Sequence, residues 1–384
     1  FALIHPNFKR LKTDHIVNIE SEIRWYGVEL YNMEVENSKK IDGYKISLET
    51  LPKTISGNFD IQAINKQITK TKQKENKIED EPNDNLYKTI KSFIASISNN
   101  TILPSSHIEL DLGLDSLNYV ELFIFIEQSF GVYIDEIIFS KIMTVKKLYR
   151  YIKKHQIRSN PTSIKWKAVL DEDISEKLIY SPYMMFTYKT FLSPLFKLYF
   201  RLEIIGQENI STSSCVIAPS HQSMLDGFLI LSSLPYSILK KSFFLAFKGV
   251  FGKSFIGSVT KHSQTILIDS NYNLKNSMQN TALPLKEKQN VVIFPEGART
   301  RDRELLEFRP FFSILSKTYK VPIVPVVIDG SFEALKAGML FPRPKKIRIT
   351  FLKPIEPNGL SYDEITIRVK TAINSELKQS DISL

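Results

Sequence analysis

Between residues 165 and 384 the chain repeats one pattern: short apolar runs, SCVIAP, TILID, NVVIFP, VPIVPVVI and KIRITFL, separated by stretches with helical spacing. Runs of this length bounded by polar or turn-forming residues read as strands. Strands alternating with helices make an α/β domain with a mostly parallel sheet, because parallel neighbours need a crossover between them. This constrains the last 220 residues more than any other feature of the sequence.

The rest is divided by two polar stretches. ITKTKQKENKIEDEPND (68–84) has almost no apolar residues and contains a proline, and IRSNPTS (157–163) is a shorter version. Both read as linkers. The expected organisation is a first segment at 1–68, a linker at 69–82, a middle domain at 83–156, a linker at 157–164 and the α/β domain at 165–384. The first segment reads strand, helix, strand, a small α+β piece. The middle one reads as helices, LYKTIKSFIASI, SLNYVELFIFIEQSF and TVKKLYRYIKKH, with apolar positions at i, i+3 and i+4 that suit a small bundle.

Charge is uneven. Residues 79–141 hold eleven acidic and three basic side chains, within a chain whose net charge is +10, so the remainder carries +18. A basic body attracts anionic surfaces, and the acidic insert repels nucleic acid, which is not an expected partner. One cysteine, Cys215, fits a reducing compartment, and FALIHPNFKRLK lacks the order of a signal peptide. A chain opening on Phe1 is expected to be the C-terminal piece of something longer. No run of about 18 uncharged apolar residues is present, so a spanning helix is not expected. YMMFTYKTFLSPLFKLYFRLEIIG (183–206), interrupted by Lys189, Pro194, Lys197 and Arg201, suits a helix lying in a membrane interface. An ordinary core helix is the other reading. The expected location is cytoplasmic, peripheral on the inner face of a membrane.

Ser116 opens an apolar helix pattern in GLDSLNYVE. It can be a helix cap, a role Asp115 can also fill, a nucleophile, or an attachment point. A nucleophile needs a base within hydrogen-bond reach, and only His107 is near in sequence. DLGLDSL followed by VELFIFIEQSFGV resembles the acyl carrier protein motif, over all of 83–156. That resemblance implies a four-helix carrier bundle with 4′-phosphopantetheine attached to Ser116 by a phosphopantetheinyl transferase. A hydroxyl at a helix N-terminus suits a phosphodiester near the positive end of the dipole.

The α/β segment holds SHQSMLDG (220–227) and FPEGARTR (294–301). A histidine can take a proton from a hydroxyl at neutral pH, and a carboxylate can orient it. His221 and Asp226 would lie about 140° apart on one regular helix, so His221 is expected before the helix and Asp226 in its first turns, with Ser220 or Ser223 as cap. Gly297 permits close backbone approach, and Arg299 offers a fork suited to phosphate. With VPIVPVVI (321–328), these blocks resemble the glycerolipid acyltransferases of the lysophosphatidic acid acyltransferase type, over about 165–355. The resemblance implies His221 as general base, Asp226 as its orienting partner, and Glu296, Gly297 and Arg299 in the acceptor pocket. It departs at TILIDSNYN, where Ser270 stands in place of the family's arginine. Arg301, Lys248 and Lys253 could assist Arg299 with a phosphate there, and the departure puts the acceptor in question.

LPKTISGNFD, with EIRWYGVELYNMEVENSKKIDGYKI ahead of it, resembles the C-terminal subdomain of adenylate-forming acyl ligases over residues 1–65, with Asn58 where that family has its lysine. The expectation is therefore a multidomain chain that moves an acyl group from a carrier or CoA thioester to the hydroxyl of a lysophospholipid. The alternatives are a carrier module serving a separate enzyme, or transfer to an alcohol without phosphate. No metal is expected, since no His/Cys/Asp cluster has ligand spacing.

Overall fold

The computed structural model describes residues 2–35, 39–41, 43–65, 80–172, 176–211, 213–247, 264–269, 271, 273–300, 302–336, 339 and 341–382. Lys248, Lys253, Ser270 and Arg301, with most of the 69–82 linker, lie outside them. The chain forms two compact units: Phe1–Ile164 with Ser270–Leu274, and Lys165–Asp269 with Lys275–Leu384.

In the first unit, β1 (Ala2–Ile4) pairs in parallel with β2 (Tyr44–Ile46), and short helices fill the connection. Helices form at Asn85–Ile97, Ser116–Phe130 and Val145–His155, where the apolar periodicity puts them, and Glu136–Phe139 adds a single turn. Their apolar stripes, including Ile90, Ile94, Leu122, Leu148 and Ile152, are buried. Asp84 ties the first of these helices to the last. Its Oδ1 accepts from Tyr87 N at 2.9 Å, and its Oδ2 from the Tyr149 hydroxyl at 2.5 Å and Lys153 Nζ at 2.9 Å. Those bonds favour the ionised form and hold this carboxyl down at about 2.

The first segment and the helices belong to one unit partly through Glu109. Its buried carboxylate accepts from Ile19 N at 2.9 Å and Glu20 N at 2.7 Å, the free donors at a helix start. Burial outweighs these bonds and pushes Glu109 up to about 8.

In the second unit seven strands form one sheet in the order β3-β9-β8-β4-β7-β5-β6. They span Glu203–Ile205 (β3), Val216–Pro219 (β4), Ser242–Phe247 (β5), Thr265–Ile268 (β6), Asn290–Val292 (β7), Ile323–Asp329 (β8) and Arg348–Phe351 (β9). β8, β4, β7, β5 and β6 are mutually parallel; β9 runs antiparallel to β8, with β3 parallel to β9. The five apolar runs become β4, β6, β7, β8 and β9. Ile217, Val292, Val324 and Val326 from the central strands pack with Leu229 and Ile230 in one core.

The stretch expected as one interfacial helix differs in detail. It is helical over Pro182–Tyr199 with a π-helical turn at Tyr188–Leu192, and its end becomes strand β3. The extra residue of a π-turn rotates Tyr188, Lys189 and Ser193 toward the helix Asp226–Ser233. Lys189 Nζ donates to the carbonyls of Ser232 (2.8 Å) and Leu234 (2.5 Å), Ser193 Oγ to Ser232 O (3.3 Å), and the Tyr188 hydroxyl to Phe228 O (2.8 Å). Carbonyls at a helix C-terminus lack intrahelical partners, and a cation there also complements the dipole. Burial, then the neighbouring Lys197, brings Lys189 down to about 8.

Candidate active site

Parallel α/β sheets place their sites beyond the carboxyl ends of the strands, where loops from neighbouring strands converge. β4 ends at Pro219 and its neighbour β7 at Val292, so the residues that follow each, Ser220–Asp226 and Phe294–Arg299, emerge side by side. His221 lies in the first loop, and the helix begins at Asp226. Neither Ser220 nor Ser223 caps that helix through its first turn, as the sequence suggested. Ser220 Oγ accepts from Ile328 N at 3.0 Å, and Ser223 Oγ donates to Leu335 O at 2.9 Å. Ser223 Oγ also accepts from Leu225 N at 3.3 Å, one residue short of the helix, and Leu225 itself has no side-chain oxygen to cap it.

Asp226 turns back into the loop instead. Its Oδ2 lies 2.9 Å from His221 Nδ1 and accepts from Gln222 N at 2.6 Å and Ser223 N at 2.7 Å. Asp226 is wholly buried, whereas the His221 side chain is 22 % exposed, so part of the ring reaches solvent. A carboxylate only accepts, so in the neutral imidazole Nδ1 carries the proton and Nε2 the lone pair. The ring stacks on Phe294, with centroids 4.2 Å apart.

Glu296 grips the histidine from the other loop. Its Oε1 accepts from His221 N at 2.7 Å and its Oε2 from Leu306 N at 2.9 Å. Thr300 N closes the ring by donating to His221 O at 3.1 Å. Burial, resisted by those two backbone bonds, pushes the Glu296 carboxyl up to about 7, and Asp226 adds to the rise. Gly297 turns the loop at φ +64, and a Cβ there would lie 3.0 Å from Arg309 Nε. Arg299 is buried in the same loop.

The structure thus brings together His221, Asp226, Glu296, Gly297 and Arg299, and Ser116 lies in the first compact unit. There Asp115, not Ser116, caps the helix: its Oδ1 accepts from Leu117 N and Asn118 N, and Asn118 completes a capping box. The half-buried Ser116 hydroxyl at the first helical position is therefore spared capping. Sequence reasoning missed Phe294, Thr300 and Leu306. Thr300 and Leu306 act through backbone N–H groups, which leave no mark on residue identity.

Residues 201–329 match the family model described as Acyltransferase. The 1-acyl-sn-glycerol-3-phosphate acyltransferase of Limnanthes douglasii is 28 % identical over 172 residues, covering 44 % of this chain and 59 % of that protein. The human 1-acyl-sn-glycerol-3-phosphate acyltransferase beta is 27 % identical over 168 residues, 41 % of this chain and 56 % of that one. A crystal structure of the 1-acyl-sn-glycerophosphate (LPA) acyltransferase PlsC from Thermotoga maritima aligns at TM-score 0.45 and 19 % identity, covering 52 % of this chain and 80 % of that one. The chain spans about three fifths of the length of the curated relatives it matches, and the family match at 201–329 lies in the α/β unit except for Ser270–Leu274.

Proposed function

We propose that this chain transfers an acyl group from a thioester to the hydroxyl of a lysophosphatidate-like acceptor, and that residues 83–156 are a carrier domain supplying the donor. The observation that carries the reading is the buried Asp226 carboxylate holding a partly exposed His221 by Nδ1. The match over residues 201–329 and the relatives named above supply the reaction class. A 4′-phosphopantetheine arm on Ser116 would supply the acyl thioester, and a hydroxyl at the start of a helix capped by Asp115 fits that attachment.

His221 Nε2 takes the proton of the acceptor hydroxyl as its oxygen bonds to the thioester carbonyl carbon. The C–S bond then breaks, and the proton passes from His221 to the departing thiolate. Asp226 fixes the tautomer and stabilises the charged ring between those steps. Glu296 and Thr300 hold the histidine backbone still, which matters because misplacement of about 1 Å costs orders of magnitude in rate. Arg299, in the loop that grips His221, is the cation assigned to the acceptor phosphate.

Such an acceptor lies in a bilayer. Tyr183, Phe186, Phe191, Leu195 and Leu198 are exposed along Pro182–Tyr199, an apolar surface suited to an interface. Among the described residues no helix is long and apolar enough to cross a membrane. The test is acyl transfer to 1-acylglycerol-3-phosphate by the full chain after coexpression with a phosphopantetheinyl transferase. His221→Ala should lose about 1,000-fold or more in rate while Ser116 still gains the arm by mass. Transfer that survives the substitution would falsify the assignment, and a missing mass gain would remove the carrier.

A further inference from the structure

Apart from Lys153, the exposed face of the helix Val145–His155 is used by neither the bundle nor the proposed reaction. From residue 145 to 158 the sequence has six Lys or Arg and no acidic residue. Val145, Leu148, Tyr149 and Ile152 are buried. At about 100° per residue, Lys146, Lys147, Arg150, Lys153 and Lys154 fall within an arc of about 120° on the opposite side. All five are exposed, and the buried stripe prevents the helix from turning them inward. Lys153 is paired with Asp84. Among the described residues no acidic partner holds Lys146, Lys147, Arg150 or Lys154.

Four cations without an acidic partner among the described residues, on two turns, are unusual in a domain that is otherwise acidic. Immediately past the helix, Ile157 is 85 % exposed. A basic face with a bare aliphatic side chain at its edge fits an anionic bilayer surface better than a nucleic acid. Headgroups take the charges, the interface takes the isoleucine, and lysine stems lie along apolar surface with their ammonium ends outward.

We propose that the exposed face of Val145–His155 is a docking surface for anionic phospholipid headgroups. It is carried by a different element from the apolar surface of Pro182–Tyr199 and acts chiefly by charge. The assignment does not depend on the acyl-transfer reading and is tested without activity.

The full chain is partitioned onto vesicles of phosphatidylcholine alone and of phosphatidylcholine with phosphatidylglycerol. The readout is the ratio of the two partition coefficients, which removes charge-independent binding. Each surface cation contributes about fivefold, so K146Q/K147Q/R150Q/K154Q should lower the ratio by about 100-fold or more. Glutamine keeps helix propensity, and circular dichroism checks the fold. Should the quadruple variant misfold, R150Q and K154Q singly should each lower the ratio about fivefold. An unchanged ratio in folded variants overturns the proposal. So does a variant that loses only binding to a single-stranded oligonucleotide, which would assign the face to nucleic acid.

Discussion

Asp226→Asn isolates the charge of the carboxylate from its geometry. In the native protein Oδ2 alone receives His221 Nδ1, Gln222 N and Ser223 N, while Oδ1 is buried with no partner among the described residues. An asparagine therefore has one good orientation. Its oxygen takes the Oδ2 place and keeps all three bonds, and its NH2 takes the Oδ1 place. The reverse would point an NH2 at two backbone N–H groups. The histidine tautomer survives, and what disappears is the negative charge that steadies the imidazolium. A unit charge pair at about 4 Å is worth about 4 kcal/mol at an effective dielectric of about 20. A ring that is 22 % exposed realises only part of this. The rate should fall about 30- to 300-fold at one decade per ~1.4 kcal/mol, with KM for the acceptor unchanged. Thiol release from an acyl thioester, followed at saturating acceptor, measures it. Asp226→Ala should in addition lower the melting temperature, because each stranded backbone donor costs about 1–3 kcal/mol. An asparagine variant within tenfold of wild type would refute the electrostatic role assigned to Asp226.

Glu296 should leave a signature in stability against pH. Its folded value of about 7 lies above the ordinary 4.5, so between those two the native state binds the extra proton and stability falls as pH rises. The whole effect is about 3 kcal/mol. Urea midpoints of Glu296→Gln minus those of wild type, taken from pH 4 to pH 8, should therefore climb across the interval; a flat difference refutes the shift. Gly206 has φ +76, and a Cβ there would sit 2.2 Å from the carbonyl oxygen of Phe351, which is backbone and cannot swing aside. Gly206→Ala should cost at least the roughly 1–2 kcal/mol of a left-handed residue with a side chain, read as a lower melting temperature, and an unchanged melt would show that β3 and β9 can part without penalty.

The strands visible in the sequence are those whose apolar character stands out from polar surroundings. VPIVPVVI becomes β8, buried at all seven of its positions. Two others were hidden for opposite reasons. Glu203–Ile205 is only three residues long and continues an apolar stretch, 183–206, whose spacing reads as a helix. Ser242–Phe247 reads SFFLAF, aromatic bulk with no alternation to separate strand from helix. At the site, His221 and Asp226 were legible because their chemistry is in the side chains. The grip on His221 was not, because Thr300 and Leu306 contribute backbone N–H groups that any residue but proline supplies. Asp226 satisfies the N–H groups of Gln222 and Ser223 in the loop while orienting the histidine, and the Ser220 and Ser223 hydroxyls bond to Ile328 N and Leu335 O instead.

The 67 residues between Asp226 and Phe294 carry little information about the site, and the sheet explains why. Val216 and Ile217 of β4 pair directly with Val291 and Val292 of β7. Once those strands are in register, the residue two past the end of β4 and the residue four past the end of β7 are neighbours whatever the intervening chain does. Loop closure entropy rises only slowly with length, about 0.6 kcal/mol per doubling, so residues inserted between Leu234 and Gln289 should be tolerated wherever they spare β5 and β6. The short tethers are another matter. One residue added between Pro219 and His221 would carry His221 N away from Glu296 and Nδ1 away from Asp226 together. One added between Val292 and Glu296 would release the histidine backbone and Leu306 from the same carboxylate. The motifs are rigid within themselves because each is tied to a strand end, and free in their separation because the sheet, not the chain, measures the distance between them.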